Sequence, residues 1–247
     1  VGIEKFADLG NENIKIAIGE PESVPAGKYT IKILEKLAAE DEALKTNIEK
    51  NIVTKEPNVR AVLDKVISKE VDAGFVYLTD AYSALDEVHI IDIPEKIQVT
   101  AKYPIGVLKE TDDRRLADTF LNYVLSKDGQ GILEKHGFAP TVDNPKEFSS
   151  EKFDGETLVV YAAISMTDAF EEMAANLGDL TGAQIKFKFG SSGSLRQTIE
   201  SGAVGGESGA DVFASASLDH MEGLKEKGFI EVSTVFTENK IVVVLPK

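Results

Sequence analysis

Cysteine and tryptophan are absent from the 247 residues, and methionine and histidine occur three times each. Without cysteine there is no disulfide, no thiolate metal site and no cysteine nucleophile, a composition compatible with export though not diagnostic of it. His89, His136 and His220 stand far apart, with no second histidine or carboxylate at a metal-ligand spacing, so each reads as a surface or packing residue. No apolar run approaches the roughly 20 residues that cross a bilayer. Basic residues are outnumbered, 27 Lys and Arg against 42 Asp and Glu, for a net charge of -15. Such a field repels DNA, RNA and anionic membranes and argues against nucleic acid as a partner. It also repels a small anion, so an oxyanion site here must rely on donors acting at short range. The chain opens at Val1 with neither a Met nor a basic-then-apolar leader, so the compartment has to be argued from other features.

Motifs of catalysis are missing too. Neither Gly-x-x-x-x-Gly-Lys-Ser/Thr nor Gly-x-Gly-x-x-Gly occurs, which leaves nucleotide binding without a motif. Gly190 to Ser194 falls short of a nucleophile elbow because Ser stands at 194 where Gly is needed. The carboxylates at 40–42 and 112–113 lie in polar helix starts and read as solvated faces. No convincing acid, base or nucleophile set emerges, so the chain does not read as an enzyme.

What is present is a globular balance, 43% apolar and 28% charged, in a chain long enough for one or two domains. Short apolar runs alternate with amphipathic stretches of helical period, the pattern of an α/β protein with mainly parallel sheets. The spacing predicts strands at 14–18, 51–54, 73–77, 88–93, 97–99, 157–163, 184–189, 211–214 and 241–245. Helices are predicted after the turn at 19–27 and over 60–69, 112–125, 127–136, 165–177, 192–201 and 217–227. The polar, turn-rich stretch 141–156 reads as a linker. A weak echo supports two similar lobes: Val59 to Leu63 leads into Val71 to Tyr77 much as Ser194 to Ile199 leads into Ala210 to Ala214.

Four helix starts follow strands directly and carry small, donor-rich or Gly/Pro-containing turns, at 163–168, 190–194, 24–27 and 57–59. A helix N-terminus leaves about four N–H groups unpaired and carries roughly half a positive charge, so it can hold an anion without a cationic side chain. Taken singly, Ser165, Asp168, Asn58 and Ser192 are also what an ordinary helix cap uses. Several such starts converging on one cleft would hold a dianion. Tyr77 ends an apolar strand, on the side where ligands gather in parallel sheets. Its hydroxyl could donate to an anion, or its ring could fill the edge of a cleft.

Together these residues resemble the periplasmic molybdate-binding proteins of ABC transporters, which have the type II periplasmic-binding-protein fold. The segments that carry the resemblance are Val160 to Phe170, Phe189 to Gln197, Ala210 to Ala216, Asn239 to Lys247, Ile16 to Gly27, Asn58 to Arg60, Ala73 to Tyr77 and His136 to Phe138, nearly the whole chain. The resemblance implies a solute-binding protein with no cofactor, whose ligand is molybdate or tungstate. Matching positions assign the oxyanion to the hydroxyls of Ser165, Ser192 and Tyr77 and to the backbone N–H groups of Ala26 and Val59. It further implies two lobes, each a mainly parallel sheet flanked by helices, that close over the ligand and present it to a membrane permease. A monomer on the periplasmic or extracellular face, with or without a lipid anchor, goes with that role. None of the five residues is Asp or Glu, which favours a fully deprotonated dianion over a protonated phosphate. Sulfate or another oxyanion, or an enzyme or sensor module on the same fold, are the alternatives.

Chain order departs from the resemblance. The family's usual chain begins with the equivalent of Thr157 to Lys247 and continues with that of Val1 to about Pro140. This sequence therefore reads as circularly permuted, with 141–156 joining the usual ends. Residues 203–209 are also longer and richer in Gly than the family's turn. On this reading the lobes are 1–101 and 102–247, the hinge lies near 102–108, Val1 and Lys247 lie close together beside it, and one peptide crossing remains between the lobes.

Overall fold

The computed structural model describes residues 2–149 and 151–247. Val1 lies outside the described residues, and with it the expected closeness of the two ends. The chain divides into two compact units, Val1–Ala101 with Asn239–Lys247, and Lys102–Glu238.

In the first unit β1 (Ile16–Gly19) is buried along its whole length and pairs in parallel with β2 (Ile52–Glu56) and β3 (Ala73–Tyr77). The continuous apolar runs of β1 and β3 suit strands covered on both faces, whereas β2 is exposed at Val53 and Lys55. Between β1 and β2 the helical stretch is split. Asp41 ends α1 (Pro25–Glu40) and caps α2 (Glu42–Asn51), its carboxylate accepting the Leu44 N–H at 2.9 Å. After β2 comes α3 (Val59–Ile67), which buries Val59, Val62, Leu63 and Val66, a helical spacing that presents one apolar face to the sheet. A short α4 (Leu78–Tyr82) and β4 (Val88–Ile91) follow. The strand expected at 97–99 is instead a turn: the N–H groups of Ile97 and Gln98 return to the Pro94 carbonyl at 3.0 and 3.1 Å, and Ile97 is buried. An apolar–polar–apolar triplet fits either structure, and the proline ahead of it favours the turn.

β5 (Thr100–Leu108) carries the chain from the first unit into the second and is buried from Tyr103 onward; the expected hinge near 102–108 falls on this strand. Capped helices follow: α5 (Arg114–Leu125) starts at Asp113 and α6 (Lys127–Lys135) at Ser126, ahead of the two-residue β6 (Ala139–Pro140). Then come β7 (Thr157–Ala163), α7 (Thr167–Thr181), β8 (Gln184–Gly190), α8 (Ser192–Glu200), β9 (Val212–Ala214) and α9 (Leu218–Glu226). β7 pairs in parallel with β8 and β9, while β9 and β5 run antiparallel. Phe170 meets Phe120, Phe187 and Phe236 at centroid distances of 5.8, 5.9 and 6.0 Å, an aromatic knot between the helices and the sheet. The described residues of 141–156 form no helix or strand, yet they are docked: Phe148 lies edge-on to Tyr123 at 4.8 Å and Phe153 is buried. The Gly-rich stretch 203–209 is also held, by the Gly206 N–H on Asp112 Oδ2 and by Tyr161 Oη on the Ser208 carbonyl.

β10 (Ile230–Pro246) is far longer than the five residues expected at 241–245. Its first part belongs to the second unit, and residues 241–246 pair antiparallel with β3 and β4 of the first. Asn239–Lys247 therefore belongs with the first unit, not with the second as chain order suggested. The Ile-Val-Val-Val run at 241–244 is fully buried and supplies the strand beside β3. The chain thus passes between the units twice, at 101–102 and at 238–239, where the sequence reading left one crossing.

Candidate functional site

Three of the five candidates lie in the first unit, each at the carboxyl end of one of its three neighbouring parallel strands. Ala26 follows β1, Val59 follows β2, and Tyr77 ends β3. The turn before Ala26 is tight: a Cβ on Gly27 would sit 2.0 Å from the Gly19 carbonyl oxygen, and one on Gly19 would sit 2.5 Å from the Val24 side chain. Only glycine lets this helix start press against the strand end. Pro25 occupies the first helical position, where its missing N–H costs nothing, and Val24 offers no side-chain cap. Ala26 and Gly27 therefore present the first N–H groups of α1, uncapped by their own turn.

At α3, Asn58 Oδ1 accepts the Ala61 N–H at 2.9 Å, which spends the cap on the third N–H of the helix and not on that of Val59. Arg60 pairs with the fully buried Asp80 at 2.8 Å and donates to Ser83 Oγ at 2.9 Å, fixing this helix start to the segment after Tyr77. Tyr77 is 1% exposed, with its ring edge-on to Tyr29 at 6.5 Å.

In the second unit Ser165 and Ser192 follow β7 and β8, whose last residues, Ala163 and Gly190, are register partners. Parallel pairing thus brings the two serines to the same sheet end. Neither caps its helix. Ser165 lies in a separate 3-10 turn (Ile164–Met166) ahead of α7, whose N-cap is Met166. Ser192 is the first residue of α8, and the cap is Ser191, whose Oγ accepts the Ser194 N–H at 3.3 Å. Both serines are buried, at 4% and 0% exposure. Ser165 Oγ lies 3.0 Å from Tyr103 Oη, and Ser192 Oγ accepts the Ala216 N–H at 3.0 Å.

Tyr103 and Ala216 escape a reading of sequence alone, because each meets its serine across a long stretch of chain. The available signal is a tyrosine inside an otherwise apolar buried strand, whose hydroxyl needs a partner. Among the described residues no group of three or more His, Cys, Asp or Glu side chains could hold a metal ion. No helix among them is long and apolar enough to cross a membrane.

Two α/β units with donor-bearing helix starts after parallel strands define a class, the type II periplasmic-binding-protein fold. The phosphate-binding protein of a phosphate ABC transporter from Streptococcus pneumoniae TIGR4 shares it, with a TM-score of 0.58 at 14% identity over 95% of this chain and 89% of that one. The chain belongs to the bacterial extracellular solute-binding protein family, whose model matches residues 1–139 and 158–247. The molybdate-binding protein ModA of Mycobacterium tuberculosis H37Rv is 39% identical over 137 residues, 56% of this chain and 49% of that protein. The putative ABC transporter substrate-binding lipoprotein YvgL of Bacillus subtilis is 37% identical over 137 residues, 55% of this chain and 50% of that one. The chain spans about half the length of the curated relatives it matches. By name these relatives are transport binding proteins, not enzymes.

Proposed function

We propose that this chain captures molybdate or tungstate outside the cytoplasm and hands it to the membrane permease of an ABC importer. The observation that carries the reading is the pair of buried serines at one sheet end, both free of capping duty. Serine hydroxyls and helix N–H groups are neutral donors, and hydrogen bonds to a charged partner are the strong ones. Ser165, Ser192 and Tyr77 would donate hydroxyls, and Ala26 and Val59 backbone N–H groups, to a single dianion over which the two units close. The likeness to a protein named for molybdate supports the choice of anion, and the family's extracellular description supports a place at the periplasmic or extracellular face; a monomer is part of the same proposal.

The permuted order belongs to the same proposal. In its support, the family model matches in two blocks that leave out 140–157, and the two curated relatives named above align over only about half of this chain. A variant with Lys247 joined to Val1 and new ends opened within 141–147 should fold and bind as the parent does.

Calorimetric titration with molybdate, tungstate, sulfate and phosphate tests the ligand. One site per chain is expected, with molybdate and tungstate well ahead. Sulfate binding as tightly as molybdate would overturn the choice of ligand.

A further inference from the structure

We propose that Tyr103 is a positioning residue that sets the direction of the Ser165 hydroxyl, and that with the Ala216 N–H it makes the second unit's half of the site donor-only. The inference deepens the proposed function and rests on Ser165 and Ser192 being ligands.

The argument begins with register. β5 and β9 pair antiparallel through Val107 with Val212, Gly106 with Phe213 and Ile105 with Ala214. The ladder continues past its last formal pair, since the Ser215 N–H donates to the Pro104 carbonyl at 2.9 Å. One further step sets Tyr103 opposite Ala216. These two cross-strand neighbours each supply one hydrogen bond to one candidate serine, Tyr103 Oη to Ser165 Oγ and the Ala216 N–H to Ser192 Oγ, both at 3.0 Å. One cross-strand position of the β5–β9 ladder therefore stands behind both hydroxyls.

At Ser192 the direction is unambiguous. An N–H can only donate, so the Ser192 hydroxyl hydrogen must point elsewhere. At Ser165 either oxygen could be the donor, and an anion would decide between them. Once Ser165 gives its hydrogen to the anion, Tyr103 must donate to Ser165, which yields the order Tyr103 O–H, Ser165 O–H, anion. Chains of this kind strengthen each bond, by roughly 10–30% in condensed-phase estimates. They also fix what the site can accept. A ligand that carries its own proton, such as hydrogen phosphate, needs an acceptor, and a serine whose hydrogen is directed at the ligand is a poor one. Tyr103 is fully buried with its ring edge-on to Phe138 at 5.5 Å, so the hydroxyl is held in place by packing.

The test is a double-mutant cycle on molybdate affinity with Ser165→Ala, Tyr103→Phe and both together, and with melting temperature recorded for each. Tyr103→Phe alone should weaken binding by about three- to tenfold, the loss of one polarising bond behind a charged one. In the Ser165→Ala background it should change affinity by less than about twofold, because nothing is left to position. The molybdate-to-phosphate affinity ratio should also fall in Tyr103→Phe, since Ser165 becomes able to turn and accept. Equal losses in both backgrounds would make Tyr103 a packing residue and overturn the proposal. A weakened Ser165→Ala beside an unaltered Tyr103→Phe would overturn it while leaving the ligand assignment standing. An unaltered Ser165→Ala would remove the assignment itself. Should Tyr103→Phe fail to fold, 3-fluorotyrosine at 103 keeps the shape and makes the hydroxyl a stronger donor. Tighter molybdate binding at pH 6 would support the relay, and unchanged binding would refute it.

Discussion

On the proposed assignment, and the Tyr77 hydroxyl of the first unit aside, the two units would offer an anion different kinds of donor. At α1 and α3 of the first unit the groups are backbone N–H, at Ala26 and Val59, and their direction is fixed once the helix is placed. In the second unit the groups are the hydroxyls of Ser165 and Ser192, which rotate, and each has a further donor behind it, Tyr103 or Ala216. A backbone donor is protected against side-chain substitution but exposed to anything that shifts the helix start. A hydroxyl donor is lost with one substitution. The same task is therefore built with opposite sensitivities, and mutation separates them.

The largest effect is expected where a side chain would displace a backbone donor. Gly27→Ala puts a methyl group 2.0 Å from the Gly19 carbonyl oxygen, so α1 must move. Overpacking of this kind costs about 1–3 kcal/mol, which for a chain of this size lowers the melting temperature by roughly 3–10 °C. Molybdate binding should be lost with it, whereas Ala26→Gly, which keeps the N–H, should bind within about fivefold of the parent. Ser192→Ala comes next. It removes one donor and leaves the Ala216 N–H without its acceptor, so affinity should fall by roughly 10- to 150-fold and some stability should go with it. Calorimetry and thermal melts on the same samples would check both, and undiminished affinity in Ser192→Ala would erase the contrast between the units. Val59→Ala should do the reverse. The side chain is 3% exposed, so stability drops by about 1–2 kcal/mol while affinity changes little, because the N–H remains.

These contrasts were legible in the sequence to different depths. Strand ends followed by Gly, Pro, Ser or Asn mark helix starts, so all four starts and the apolar runs of β1, β3 and β7 could be read locally. The division of labour at the serines could not. Which of Ser191 and Ser192 caps α8 depends on backbone angles that adjacent serines do not distinguish. Tyr103 meets Ser165 across 62 residues, and no spacing rule reaches that far. The first half of β10 was missed because Glu231, Ser233 and Thr234 interrupt its apolar pattern, while the valine run after Lys240 stands out. The triplet at 97–99 misled in the other direction, since Ile97 is buried as a strand residue would be.

The smallest effect expected is a control at a contact between α6 and α7 that involves none of the proposed ligands. Lys135 and His136 hold the Glu172 carboxylate, at 2.8 and 2.7 Å, and hydrogen bonding from the two of them keeps its pKa below the ordinary carboxylate value. A lowered carboxylate pKa stabilises the fold at pH values above its unfolded value, and the contribution is lost as pH falls through the folded value. Glu172→Gln should therefore lower the melting temperature by roughly 1–3 °C at pH 7, with the difference vanishing once the pH has fallen below the folded-state value. Molybdate affinity should not move, and a change in it would tie α7 to the site more closely than the serine relay requires.

The shared strand β10 has a consequence for the order in which the molecule is made. Lys102–Glu238 is continuous, so every contact within the second unit is available once residue 238 has been synthesised. The first unit begins earlier but waits longer, because Phe75, Val76 and Tyr77 find their antiparallel partners only in Val243, Val242 and Ile241. Closing so long a loop is slow, and until it closes the edge of β3 stands open to any other strand that comes within reach. Of the two units, the one whose chain starts earlier is thus the one that finishes later. Pulsed hydrogen exchange during refolding should find β7 and β8 protected before β1 and β3.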